Sequence, residues 1–257
     1  PPSKNLLLWV HFTNLEESLK AAVIAMKHQP RQCELMDKII LDCTKENIVQ
    51  RQNRFFIEGD PGAILMIEFA TEDFEETRQK IELLIGDFKA QQMGYAFPIL
   101  EGKDIQKAMS LRAAGLGVLS NVKGSKKPVE FVEDTAVAVE DLPAYIADYE
   151  EMLKKYDTES VYYAHAGAGE LHLRPILDLK TREGIKNLRG IATDTAILVK
   201  KYNGSMSGEH GDGIVRSEFI PMVLGEKNYQ LFKRIKYTWD PNNIFNPGKI
   251  VDAPKMD

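Results

Sequence analysis

The chain has 257 residues, 44% of them hydrophobic and 28% charged, and a formal net charge of −5. That composition suits a globular chain able to bury the core of one large or two small domains. The acidic balance and the lack of any long Lys/Arg block argue against nucleic acid as the main partner, and no apolar run approaches the roughly 20 residues that cross a bilayer.

The start, Pro1-Pro2-Ser3-Lys4, lacks the basic region and cleavage site of a signal peptide. It has no initiator Met and opens on the apolar run Leu6–Val10, so the chain reads as a piece of a longer polypeptide. Asn5–Phe12 is strand-like, and Asn14 is placed to cap a helix over Leu15–His28, where Leu15, Leu19, Ala22, Val23 and Met26 recur at helical spacing. Gln32–Leu35 reads as a short strand, Met36–Cys43 as a helix and Thr44–Arg54 as a polar loop. Gly62–Ala70 is a strong strand. Asp73–Ala90 is a helix with apolar Phe74, Ile81, Leu84 and Phe88, and Tyr95–Leu100 is a further strand. Cys33 and Cys43 show no CxxC spacing, so neither a disulfide framework nor a zinc ribbon is indicated, and a reducing, cytoplasmic setting fits best.

A helix over Lys103–Gly115 and a Gly/Ser/Lys connection over Gly117–Lys127 lead into a second series. Pro128–Val139 is predicted as a strand, Leu142–Tyr156 as a helix, and Val161–His165 and Leu171–Ile176 as strands. Thr181–Tyr202 is a long helix, followed by an extended piece near Ser205–Ser207. Both series read β-α-β-β-α-β. The expectation is an α+β fold of two ferredoxin-like halves forming a mainly antiparallel sheet. The first half covers residues 1–102, the connection 103–127, the second half 128–208, and a C-terminal helical segment 209–257. That last segment holds two short helices, Ser217–Leu224 and Lys227–Tyr237, and a tail Asp240–Ile250 rich in Asn, Pro and Gly.

Of five His, His11 sits in a half-buried strand and His28 near a helix C-terminus, where a partial positive charge is favoured. The other three lie in two Gly-rich segments. In Tyr163-Ala-His165-Ala-Gly-Ala-Gly-Glu-Leu-His172-Leu-Arg174-Pro175 two His flank a Gly-x-Gly turn between strands, so a hairpin can converge both imidazoles on a metal. The spacing is met equally by a hairpin with two unrelated His. In Gly204-Ser-Met-Ser-Gly208-Glu209-His210-Gly211-Asp-Gly213 glycines surround an adjacent Glu-His pair and allow close backbone approach to a ligand. Glu209 can complete a His-His-carboxylate site with an open position, which leaves His210 as a general base. An inert surface loop is the alternative.

Three motifs stand in order: His165-Ala-Gly-Ala-Gly-Glu-Leu-His172, Ser207-Gly-Glu209-His210-Gly-Asp-Gly, and Asp240-Pro-Asn-Asn-Ile-Phe-Asn246-Pro-Gly-Lys249. Together they resemble the C-terminal domain of FAD-linked oxidases of the glycolate oxidase D-subunit, D-lactate dehydrogenase and D-2-hydroxyglutarate dehydrogenase type, over essentially the whole chain. Lys127–Val137 and His172-Leu-Arg174-Pro175 look like a branch of large fusions carrying an FAD domain, this domain and a C-terminal iron-sulfur region.

The resemblance implies a divalent metal, zinc or manganese, on His165, His172 and Glu209, with His210 taking the hydroxyl proton of a small 2-hydroxy acid. It implies Arg112 and Arg174 as substrate contacts, Arg174 standing where many relatives have Asn. It places Asn246 and Gly211 at the flavin, with most of the FAD site on a missing N-terminal domain on which residues 209–257 dock. Val132 stands where the hydroxyglutarate enzymes have a substrate Lys, so the distal carboxylate contact departs from theirs. A homodimer, an electron acceptor other than oxygen and a peripheral membrane association of the whole protein are compatible with the same resemblance. Two rivals share parts of the pattern: a flavin oxidase acting on alcohols or phenols, and a metal-binding module without redox chemistry. A zinc hydrolase is disfavoured by the absence of a helical HExxH.

Overall fold

The computed structural model describes residues 4–119 and 122–256. In chain order the elements are β1 (Lys4–Phe12), α1 (Leu15–Lys27), β2 (Gln32–Asp37), α2 (Lys38–Glu46), α3 (Ile48–Arg51), β3 (Ala63–Thr71), α4 (Phe74–Ala90), β4 (Ile99–Leu100) and α5 (Lys103–Val118). There follow β5 (Lys127–Pro128), β6 (Thr135–Ala136), α6 (Leu142–Leu153), β7 (Ser160–His165), β8 (Glu170–Leu177), α7 (Arg182–Lys201), α8 (Ile220–Leu224) and α9 (Glu226–Trp239). The fold is α+β with mainly antiparallel strands, and no described helix is long and apolar enough to cross a membrane.

The chain divides into two compact units. The first comprises Pro1–Lys123, Val139–Pro143 and Val161–Leu171; the second comprises Gly124–Ala138, Ala144–Ser160 and His172–Asp257. β8 belongs to both, because the boundary falls between Leu171 and His172.

In the first unit the strand order is β4-β1-β3-β2-β7, with antiparallel neighbours. The first four strands have the order of a ferredoxin-like sheet. β1 is apolar from Leu6 to Val10 without alternation, and all of these side chains are buried, so both faces of the strand are covered. α1 starts where Asn14 accepts the Glu17 amide at 2.9 Å, and Glu16 and Glu17 oppose the positive end of the helix dipole. It buries Leu19 together with Ala21, Ala22 and Ala25, three small residues that let the helix approach closely. Asp73 caps α4 in the same way.

The boundaries differ from the sequence reading where polar residues are structural. β2 runs through Met36, which is buried, and hands over at Asp37, whose carboxylate caps α2 through Ile40. The expected polar loop over Thr44–Arg54 contains α3: Asn47 accepts the Val49 and Gln50 amides, and Asn53 and Gln50 bond to each other in a buried position. The expected strand Tyr95–Leu100 is reduced to Ile99–Leu100 and a bridge from Ala96 to His11, because Pro98 cannot donate to a ladder. The connection over Gly117–Lys127 includes residues 120 and 121, which lie outside the described residues.

In the second unit the expected strand Pro128–Val139 is two short pieces. β5 and β6 both pair with β8, and Ala136 bridges to Ser205, the extended piece of the sequence reading. The break lies at buried Asp134, whose φ of 77° is incompatible with a continuous strand. α6 and α7 cover this unit's core. Tyr145 and Tyr149 are fully buried, and Tyr145 donates to Thr135 at 3.1 Å and meets Tyr202 edge-on. α7 is capped by Thr181 on the Gly184 amide and buries Ile191, Ala192, Ala196 and Val199. α9 buries no residue. Leu231, Ile235 and Trp239, with Ile244 and Phe245 beyond it, are exposed. Asp240 organises the turn after α9 by accepting the Ile244 and Phe245 amides at 2.8 and 2.9 Å.

Candidate active site

The turn between β7 and β8 is short because Gly169 takes a φ of 70°. Gly167 lies against Cys33 and Met26, where a Cβ would come within 3.2 Å of both. His165 ends β7 in the first unit. Its Nδ1 lies 2.8 Å from Glu34 Oε2, and the Arg112 guanidinium also donates to that carboxylate and lies over the Tyr163 ring at 4.9 Å. Glu34 holds the His165 imidazole above its ordinary pKa, outweighing the opposing effect of burial. The Arg112 guanidinium also approaches Nδ1, at 3.2 Å, so Glu34 and Arg112 together fix the orientation of the ring. Glu170, at the start of β8, has a carboxylate oxygen within 4.8 Å of the ligand nitrogen of His165. Glu170 and His172 are two apart on β8 and therefore project from the same face of that strand.

In the second unit His172, Glu209 and His210 come together. Glu209 Oε1 lies 4.0 Å from His172 Nε2 and 3.3 Å from His210 Nε2. The two rings are nearly parallel, 5.5 Å between centroids. His172 is buried, whereas Glu209 and His210 are exposed, so the cluster has an open side. Behind it stand Glu133 and Asp134, 3.7 and 3.9 Å from His210 Nδ1.

The remaining expected residues fall as follows. Arg174 is buried and engaged: Nη2 lies 2.9 Å from Glu133 and Nη1 2.7 Å from the exposed Glu130. Arg112 belongs to the first unit and is paired with Glu34. Gly211 is exposed, with a φ of 80°, and its amide donates to Ser207. Asn246 is exposed in the tail, with a φ of 48°. The sequence reading missed Glu34, Glu133 and Asp134. The signal for Glu34 was a carboxylate in the middle of a strand whose neighbours Cys33 and Leu35 are apolar and buried. Asp134 offered none, because its neighbours fit a strand.

Fold and site together define a two-unit α+β domain that presents imidazoles and carboxylates on a strand and a glycine-rich loop. The fold is shared with enzymes of known structure. The 4-ethylphenol oxidase from Gulosibacter chungangensis matches 98% of this chain and 55% of its own at 14% identity and a TM-score of 0.68. A p-cresol methylhydroxylase matches 97% and 53% at 14% identity and a TM-score of 0.66. In sequence, residues 1–250 match the family described as FAD linked oxidases, C-terminal domain, and the chain belongs to that family. The D-2-hydroxyglutarate dehydrogenase of Pseudomonas putida is 33% identical over 97% of this chain and 25% of its own length, and the glycolate oxidase subunit GlcD of Bacillus subtilis is 24% identical over 99% and 53%. The chain thus spans about a quarter to a half of these relatives.

Proposed function

We propose that the whole protein is an FAD-dependent dehydrogenase of a D-2-hydroxy acid, of the D-2-hydroxyglutarate, D-lactate or glycolate class, and that this chain supplies its substrate- and metal-binding part. The observation that carries the reading is the His172–Glu209–His210 cluster on the family's own motifs. Family membership implies FAD. The relatives' names point to hydroxy acids.

The donor set suits a divalent metal such as zinc or manganese. His172 and Glu209 offer nitrogen and oxygen side by side, and His165 is backed at Nδ1 by the Glu34 carboxylate, as metal-ligating imidazoles commonly are. In this reading His165, His172 and Glu209 hold the metal, which when bound lowers the pKa of the substrate hydroxyl, while FAD accepts the hydride. His210 Nε2 takes the hydroxyl proton. The carboxylates of Glu133 and Asp134 beside Nδ1 stabilise the cation that results. Arg174 is the carboxylate contact in the second unit: its Nη1 arm can exchange the exposed Glu130 for substrate, while Glu133 keeps the guanidinium plane in place. Arg112 contributes through Glu34 and His165. The exposed apolar residues Leu231, Ile235, Trp239, Ile244 and Phe245 form the face on which the FAD domain docks, which brings Asn246 and Gly211 to the flavin edge.

The test is anaerobic mixing of the full-length protein with D-2-hydroxyglutarate, D-lactate and glycolate while flavin absorbance is followed. Bleaching by one of them is expected. It should be abolished by chelator, restored by zinc or manganese, and slowed about 10²–10⁴-fold by His210→Ala. Absence of bleaching with all three would overturn the assignment. Bleaching untouched by chelation would overturn the metal.

A further inference from the structure

Glu209 and His210 are carried by a loop containing Gly204, Gly208, Gly211 and Gly213, a composition with high backbone entropy. A loop of this kind holds two functional side chains in place only if something orders its backbone. One side chain is placed to do so. Asp134 is fully buried, and its Oδ1 accepts the amides of Gly208 at 3.0 Å and Glu209 at 2.7 Å. Its Oδ2 accepts the His210 amide at 3.0 Å and the Ser207 hydroxyl at 2.5 Å. The Asp134 carbonyl takes the Gly208 amide as well, at 2.7 Å. Three successive amides thus converge on one carboxylate, the arrangement by which loops elsewhere bind anions. Here the anion is the protein's own.

A second layer locks the carboxylate. Arg216 is buried, lies 3.4 Å from Asp134 Oδ2, and donates to the carbonyl of Glu133 and, at 2.7 Å, to that of Gly211. It therefore ties both ends of the contact together. Ser207 relays a further bond, since its Oγ accepts the Gly211 amide at 2.6 Å. Asp134 holds a φ of 77°, which a non-glycine residue adopts at a cost, and this backbone turn accompanies its carboxylate's approach to the loop.

We infer that Asp134 is the positioning residue of this site: it fixes the backbone of Gly208, Glu209 and His210, and through them the direction of the metal-ligating carboxylate and the base. The part concerning metal and base rests on the proposed function; the ordering of the loop does not. The inference predicts that Asp134→Asn, which turns an amide group toward N–H donors, frees the loop while the core of the second unit persists.

Two readouts on the full-length protein separate the claims. Hydrogen exchange at the amides of 208–210 should accelerate about 10- to 100-fold in Asp134→Asn, the range for losing hydrogen bonds to a charged acceptor, while exchange in α6 and α7 stays at the wild-type rate. Ser207→Ala, which removes only the hydroxyl, should move the same amides less and in the same direction. It decides the question if Asp134→Asn does not fold. Cobalt(II), used as a spectroscopic substitute for the proposed metal, should give a visible spectrum in wild type that Asp134→Asn weakens or shifts, because Glu209 is no longer held. Wild-type exchange rates at 208–210 in both variants would overturn the role of Asp134. A wild-type protein without a cobalt spectrum would overturn the metal reading, while the exchange data would still decide for or against the clamp.

Discussion

Asp37 ties β2, α2 and β7 together, and its ionisation should be visible in the stability of the chain. Oδ1 accepts the Ile40 amide at 3.0 Å, and Oδ2 accepts the Tyr162 amide at 2.8 Å on the strand that ends in His165. Burial, the largest influence, pushes this carboxyl up to about 7, against the amides of Ile40, Tyr162 and Ile39. An unfolded Asp titrates near 3.9. With the native value the higher, the stabilisation is fully present below about pH 3.9 and is lost as pH rises through about 7. The two values give a contribution of about 2.7 kcal/mol at pH 5 and close to zero at pH 8. Asp37→Asn removes the titration, and the cost of losing one of the two accepted amide bonds is the same at both pH values and cancels in the comparison. Urea unfolding at both pH values should therefore show wild type losing about 2.5 kcal/mol more than the variant on going from pH 5 to pH 8. Equal losses in the two proteins would refute the reasoning and show that the amide bonds, rather than desolvation, govern this carboxyl.

Glu34→Gln should lower the titration midpoint of His165 toward that of an ordinary imidazole, read by NMR of its ring protons, because the hydrogen bond to Glu34 is what raises it. The same substitution leaves Arg112 without its buried partner and should cost about 3–5 kcal/mol in unfolding free energy. Gly204→Ala should destabilise the chain by about 1–3 kcal/mol in chemical denaturation, since a Cβ there would lie 2.4 Å from the backbone oxygen of Ala136 and 2.9 Å from Val137.

The pattern of the chain was sufficient for its elements where a short-range rule decides them. Asn14, Asp73 and Thr181 cap helices because a short polar side chain meets amides two or three residues on, a contact set by local geometry. Strand β3 is buried and apolar from Ala63 to Phe69 apart from Glu68, which is also buried, so its identity survives any tertiary context. The strands β1 to β3 and the helices α1 and α4 of the first series, and the two Gly-rich motifs bearing His165, His172, Glu209 and His210, were legible for the same reason. Tertiary structure alone decided the partners of the charges. Glu34 meets His165 across 131 residues, Arg112 meets Glu34 across 78, and Asp134 meets Gly208, Glu209 and His210 across 74 to 76. Contacts at such separations depend on which strands pair and where a backbone turns to positive φ. A carboxylate that looks like one more polar residue in a strand then becomes, once desolvated, the strongest acceptor within reach of a loop.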